Sequence, residues 1–172
     1  MTAMMVKAHM QFYHVSMHSL LPGNTISPGS WARNFIGFKP DTRVGMPADF
    51  SSLTTFMWDM SLETARMAVN PKLPSRLKSL FLWESKEDAI WFKENYRKQG
   101  AIYLVEPAGE LAEFHRGSFS AITPGGRSGD PYIKFIPPVA AKYWTDEPSG
   151  RVEVLYPGQV SVVEKLSATS TI

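Results

Sequence analysis

The sequence predicts an α+β fold, and three observations carry that expectation. Short runs rich in aromatic and β-branched residues recur along the chain, segments of helical period stand between some of them, and the two kinds mix without the regular βαβ repeat of a doubly wound sheet. No Gly-x-Gly-x-x-Gly follows the first strand, so a dinucleotide held in the manner of such a sheet is not expected. The 172 residues suit one domain over 1–172, with no internal repeat and no linker. A hydrophobic content of 44% against 20% charged residues is enough to build a core and excludes a disordered polar chain.

The elements follow in order. Residues 11–16 read as a first strand, ended by the turn Leu21-Pro22-Gly23-Asn24. A second turn, Ser27-Pro28-Gly29-Ser30, opens residues 31–48, whose Gly37, Lys39-Pro40-Asp41 and Met46-Pro47 predict a long irregular loop of the kind that carries function. From Ser51 or Ser52 as N-cap, Leu53, Phe56, Met57, Met60 and Met67 predict a helix that Asn70-Pro71 ends, with the methionines as core filler. Residues 77–83 read as a buried strand. Ser85-Lys86-Glu87-Asp88 then caps a helix through Ala89, Ile90, Phe92 and Tyr96 that Gly100 closes. Residues 101–106 form a strand broken by Pro107, and 108–129 hold one apolar stretch, Phe119 to Ile122, between Gly-rich turns. Residues 132–136 read as a strand or extended segment stopped by Pro137-Pro138, followed by a brief helix over 139–144. Val152–Tyr156 and 160–163 flank Pro157-Gly158 as the last strands, and a polar tail from about residue 166 is expected to fray.

Composition narrows the function classes. The 18 basic and 16 acidic residues are mixed along the chain, leaving a net charge of +2 and no basic track for nucleic acid. Cysteine is absent, which removes disulfides, thiolate nucleophiles and thiolate-ligated zinc and is compatible with the reducing cytoplasm expected here. His9, Gln11 and His14 interrupt any signal-peptide core, and no stretch approaches the ~18 apolar residues of a membrane span. The chain contains no His-Glu-x-x-His, phosphate-binding Gly-x-x-x-x-Gly-Lys, EF-hand loop or Gly-x-Ser-x-Gly elbow. His9, His14, His18 and His115 lack metal-ligand spacing, so no metal is expected.

Two segments from opposite ends of the chain point to one chemistry. His14-Val15-Ser16, closing the first strand, is similar to the His-x-Thr/Ser motif of the His-type ADP-ribosyltransferases, including their rifampicin-modifying and toxin-like branches. Val152-Glu153-Val154-Leu155-Tyr156-Pro157-Gly158 resembles the strand of that family whose Glu is catalytic. Between them, the run from Ser79 to Ala89 looks like the family's middle strand and following helix, with Phe81 where the family's Tyr would align and Trp83 or Ser85 as neighbouring candidates. Ala101 to Pro107 resembles a further, structural strand.

The resemblance implies an ADP-ribosyltransferase-like single domain whose mixed or antiparallel split sheet is flanked by helices. It implies NAD as co-substrate, Glu153 and His14 as catalytic residues, and His14, Ser16, Arg33, Phe81 and Trp83 as residues that bind NAD. It also implies a macromolecular acceptor, protein before nucleic acid. Glu153 would stabilise the oxocarbenium-like ribose, His14 would orient the adenosine side, an aromatic platform would hold the nicotinamide, and Arg33 or Arg76 would neutralise the pyrophosphate. Arg151 stands where the arginine-modifying branch carries the first Glu of a Glu-x-Glu pair, which argues against arginine as acceptor. Each motif has a plainer reading as well. His14 could meet a backbone carbonyl on a half-buried strand, and Glu153 could be a solvated residue of an edge strand. The rival functions are an NAD glycohydrolase and a non-catalytic interaction protein that kept the fold.

Overall fold

The computed structural model of the protein describes residues 10–31, 50–122 and 131–167, with the side chains of 50–53 left aside. The strands are β1 (Phe12–Ser16), β2 (Thr25–Ile26), β3 (Leu80–Trp83), β4 (Ala101–Pro107), β5 (His115–Ser118), β6 (Val152–Tyr156) and β7 (Val160–Lys165). The helices are α1 (Phe50–Val69), α2 (Lys86–Tyr96), α3 (Phe119–Ile122) and α4 (Tyr132–Thr145), with a 3₁₀ turn at Arg76–Lys78. Among the described residues seven strands join one open sheet in the order β2-β7-β4-β1-β3-β6-β5, antiparallel at every junction. The α+β class and the antiparallel pairing are as expected, but the expected split is not seen: β1 and β3 still pair, and the described strands form one continuous sheet. The loop expected at 31–48 lies outside the described residues beyond Trp31, as does the tail beyond 167. No described helix is long and apolar enough to cross a membrane.

Side chains alternate across a strand, and directly opposed residues share a face. On one face Phe12, Leu80, Leu82, Tyr103, Val105, Val154, Tyr156, Val160 and Val162 make a continuous apolar core. On the other, Leu155 and Phe81 pack under α1 and α4, while Trp83 and Ile102 pack under α2. Most junctions carry several register pairs, but β1 meets β3 at a single pair, Tyr13↔Trp83. The centre of the sheet is therefore its most weakly laddered seam.

Helix faces decide which residues reach the sheet. On α1 the buried apolar residues are Trp58 and Leu62, with Ala65 packed beside them, the i, i+4, i+7 row of a helix face. Met57 packs against that cluster as expected of core filler, but Met60 and Met67 are exposed, so the methionine stripe is core only in part. The Ser85 hydroxyl accepts from the Asp88 N–H at 3.2 Å, so α2 starts at the expected cap.

Residues 132–145 are one helix, although an extended segment and a brief helix were expected. Pro137 and Pro138 lack the N–H groups that would close onto Ile133 and Lys134. The stripe Ile136, Ala140, Tyr143 and Trp144 runs through the prolines and packs on α1, with the Trp144 indole donating to the Leu62 carbonyl at 2.8 Å. Burial of that stripe outweighs the missing bonds. Residues 77–83 likewise divide, into the end of the 3₁₀ turn and β3. That division places Arg76 just before the strand and under α1.

Candidate functional site: a buried charge cluster on the sheet

Glu153 lies on the helix-covered face, on the strand next to the edge strand β5. It is directly opposite Trp83 on β3 and Gly117 on β5, and is only 1% exposed. An interior strand thus carries it, and the reading as a solvated edge residue does not hold. A buried carboxylate needs a cation and donors, because an unpaired charge in a low dielectric is strongly unfavourable. Arg76, delivered by the turn before β3, supplies the cation: its Nη1 bonds directly to Glu153 Oε1. Tyr143, from α4, donates its hydroxyl to the same oxygen at 2.7 Å and accepts from Arg76 Nη1 at 3.1 Å.

The cluster extends from Arg76 to Asp59 on α1, whose Oδ1 accepts from Arg76 Nε at 3.2 Å. Asp59 Oδ2 accepts from the Trp31 indole at 2.9 Å, and the Trp31 ring meets Phe81 edge-on. The Phe81 ring lies 4.7 Å from the Arg76 guanidinium carbon, a cation–π contact. One guanidinium therefore serves two carboxylates among three aromatic rings, all but sealed from water.

Charge states follow from this enclosure. Burial works against the charge on Arg76, but Glu153, Tyr143 and Asp59 together outweigh it and hold the guanidinium proton more firmly than usual. Burial raises the pKa of Glu153, and the Arg76 charge and the Tyr143 and Arg76 hydrogen bonds only partly oppose that, since Asp59 adds a second negative charge. Burial and the facing Glu153 push the Tyr143 phenol well above its ordinary range, so it remains a protonated donor.

The residues expected at the site fall into separate groups. Glu153, Phe81 and Trp83 share one face on neighbouring strands. Phe81 faces Arg76, while Trp83 is buried among Phe92 and Phe119 beneath α2. His14 does not join them. Tyr13, opposite Trp83, takes the Glu153 face, so His14, the next residue, issues from the other. Its Nδ1 donates to the Phe81 carbonyl at 3.2 Å across the thin β1–β3 seam, and burial lowers its pKa. That is the plainer role foreseen for it. The Ser16 hydroxyl accepts from the His18 N–H at 3.0 Å within the turn. Arg33 lies outside the described residues.

Sequence reasoning missed Asp59, Gly117 and Tyr143, and gave Arg76 only a phosphate role. A signal for Asp59 exists: a weak helix former set between Trp58 and Met60 in an otherwise apolar stretch. Tyr143 falls in the expected brief helix over 139–144, where nothing local marks its role, and nothing local marks Gly117 either. Two cavities, of 210 and 350 Å³, open at Ala108–Gln159 and Lys93–Lys165 respectively, and neither is lined by Glu153 or His14.

A family model described as a protein of unknown function (DUF2441) matches residues 22–168, and the chain belongs to that family. The match spans β2 through β7 and so includes every residue of the charge cluster. No curated protein matches the chain.

Proposed function

We propose that the protein consumes NAD, transferring ADP-ribose to a macromolecular acceptor, protein first, and releasing nicotinamide. The observation that carries this reading is the adjacency of β1, β3 and β6. These strands hold the three motifs that resemble ADP-ribosyltransferases, stand far apart in the sequence, and lie side by side in the sheet, with Glu153 buried on β6.

In the proposed reaction the bond between the ribose C1′ and the nicotinamide nitrogen breaks, and its electron pair leaves with nicotinamide, which becomes neutral. The C1′ cation is stabilised by the ionised Glu153, then bonds to a nucleophilic atom of the acceptor, which gives up its proton to solvent or base. Phe81 would offer nicotinamide the ring face that Arg76 covers at rest, once Arg76 moves away. For ribose to reach Glu153, Arg76 must release that carboxylate while keeping Asp59, which remains available as its counterion.

A second reading, a non-catalytic protein with this architecture, is favoured by a specific observation. Glu153 is already bonded by Arg76 and Tyr143, and His14 issues from the opposite face. Incubation with NAD labelled in the adenylate moiety separates the readings. Label passing into a macromolecular acceptor with wild type but not with Glu153→Gln supports transfer, and free ADP-ribose as the sole labelled product supports hydrolysis. No turnover of NAD in the presence of candidate acceptors would leave the non-catalytic reading standing.

A further inference from the structure

Resting on Glu153 as the reacting carboxylate, we propose that Tyr143 is its positioning residue, fixing the carboxylate in one orientation, and that Gly117 exists to admit the Tyr143 ring. A phenol has one proton to give and lone pairs to receive. Here Arg76 Nη1 donates to the Tyr143 oxygen at 3.1 Å, so the hydroxyl proton is directed to Glu153 Oε1 at 2.7 Å. Arg76 donates to that same oxygen, so both donors converge on one atom of the carboxylate.

The seat of the ring is cut into the sheet. Gly117 is directly opposite Glu153, and a Cβ added there would come within 2.1 Å of Tyr143 Cζ and 2.4 Å of its hydroxyl oxygen. Glycine weakens a strand interior, so its presence in β5 calls for a close approach such as this one. Two residues along the same face, His115 Nε2 donates to the Tyr143 carbonyl at 3.1 Å, and its ring packs on Trp144. Trp144 in turn is tied to α1 through the Leu62 carbonyl. The phenol is held at its backbone, its ring and its oxygen.

The groups that face Glu153 are then Arg76 from the 3₁₀ turn, Asp59 from α1 through Arg76, and Tyr143 from α4; His115 touches Tyr143, and burial lowers its own pKa. A donor to the charged form lowers a carboxyl pKa. Tyr143 therefore opposes the effect of burial on Glu153, and its loss moves that group further from the ionised form needed to meet a cationic ribose.

The test is Tyr143→Phe, which keeps the ring, beside Gly117→Ala, which keeps the hydroxyl but displaces it. Nicotinamide release from NAD is followed across pH, and the Glu153 carboxyl is titrated by carbon-13 NMR with Glu153→Gln for assignment. Removing a hydrogen bond to a charged group is expected to lower kcat about 10- to 100-fold, with a smaller change in KM, and to move the acid limb up by about one to two pH units. Gly117→Ala should reproduce both changes, and if it does not fold, Tyr143→Phe decides alone. A Glu153 titration and rate profile in Tyr143→Phe identical to wild type would overturn the proposal. If wild type releases no nicotinamide, the reading of Glu153 as reacting carboxylate fails, and the NMR titration still decides whether Tyr143 governs this group.

Discussion

The two sides of β6 are equally buried and differ in what they bury. Val154 and Tyr156 on one side are 0% and 1% exposed, and Leu155 and Glu153 on the other are 0% and 1%. The first side joins an apolar core in which each contact contributes in proportion to its area and no single partner is indispensable. The second includes Arg76, Asp59 and Glu153, none of which is tolerable in that position without the others. Stability on one face is thus graded, and on the other it depends on a complete set of partners.

The comparison can be broken most directly at Arg76. Arg76→Ala leaves two buried carboxylates without their cation and is expected to cost about 3–5 kcal/mol, read from urea unfolding. Arg76→Lys should recover only part of this, because an ammonium cannot serve Asp59 and Glu153 as a planar fork does. A loss near zero for Arg76→Ala would show that the cluster is not the cooperative unit described. On the apolar face, Leu82→Ala should cost about 2–5 kcal/mol through the cavity it leaves. Leu82→Met, which conserves volume, should cost less than about 1.5 kcal/mol. Equal sensitivity of the two faces to conservative substitution would erase the contrast.

The faces also differ in sign with pH. The folded-state pKa of Glu153 is raised above its ordinary 4.5, so the native state holds its proton longer and stability falls as pH rises through the folded pKa. His14 has its pKa lowered from 6.5, so the unfolded state takes the proton first and stability falls as pH drops below that value. In stability profiles against pH, Glu153→Gln should flatten the loss on the rising side and His14→Gln the loss on the falling side. Opposite outcomes would reverse the assigned burial effects. The smallest effect is expected at the exposed pair Arg116–Glu84, bonded at 2.6 Å, where Arg116→Ala should cost about 1 kcal/mol or less and fade in salt.

How far the sequence could be read depended on whether a signal was local. β1, α2, β4 and β6 were legible because a period, a cap or a breaker lies within each segment, as Ser85 shows for α2. β5 was not, since His115-Arg116-Gly117-Ser118 has no strand propensity and is a strand only through its register with β6. α4 was divided at Pro137-Pro138 because the packing of Ile136, Ala140, Tyr143 and Trp144 that carries the helix through them is tertiary. Glu153 was singled out only by a resemblance, and its burial was not legible. Its partners Arg76, Asp59 and Tyr143 come from three other elements, and no linear pattern unites them. His14 was found by its motif, but its direction depends on which residue of β1 lies opposite Trp83, and a shift by one residue reverses it.

Under the proposed function, Glu153, sealed beneath Arg76 and Tyr143, meets the ribose of NAD when Arg76 releases it. Nicotinamide liberated from NAD by wild type and by Glu153→Gln, each checked for an intact fold, measures it most directly. The account predicts time-dependent release by wild type and a loss of about 100- to 1,000-fold in the variant. Equal release by both proteins, or none from folded wild type with acceptor present, would contradict it.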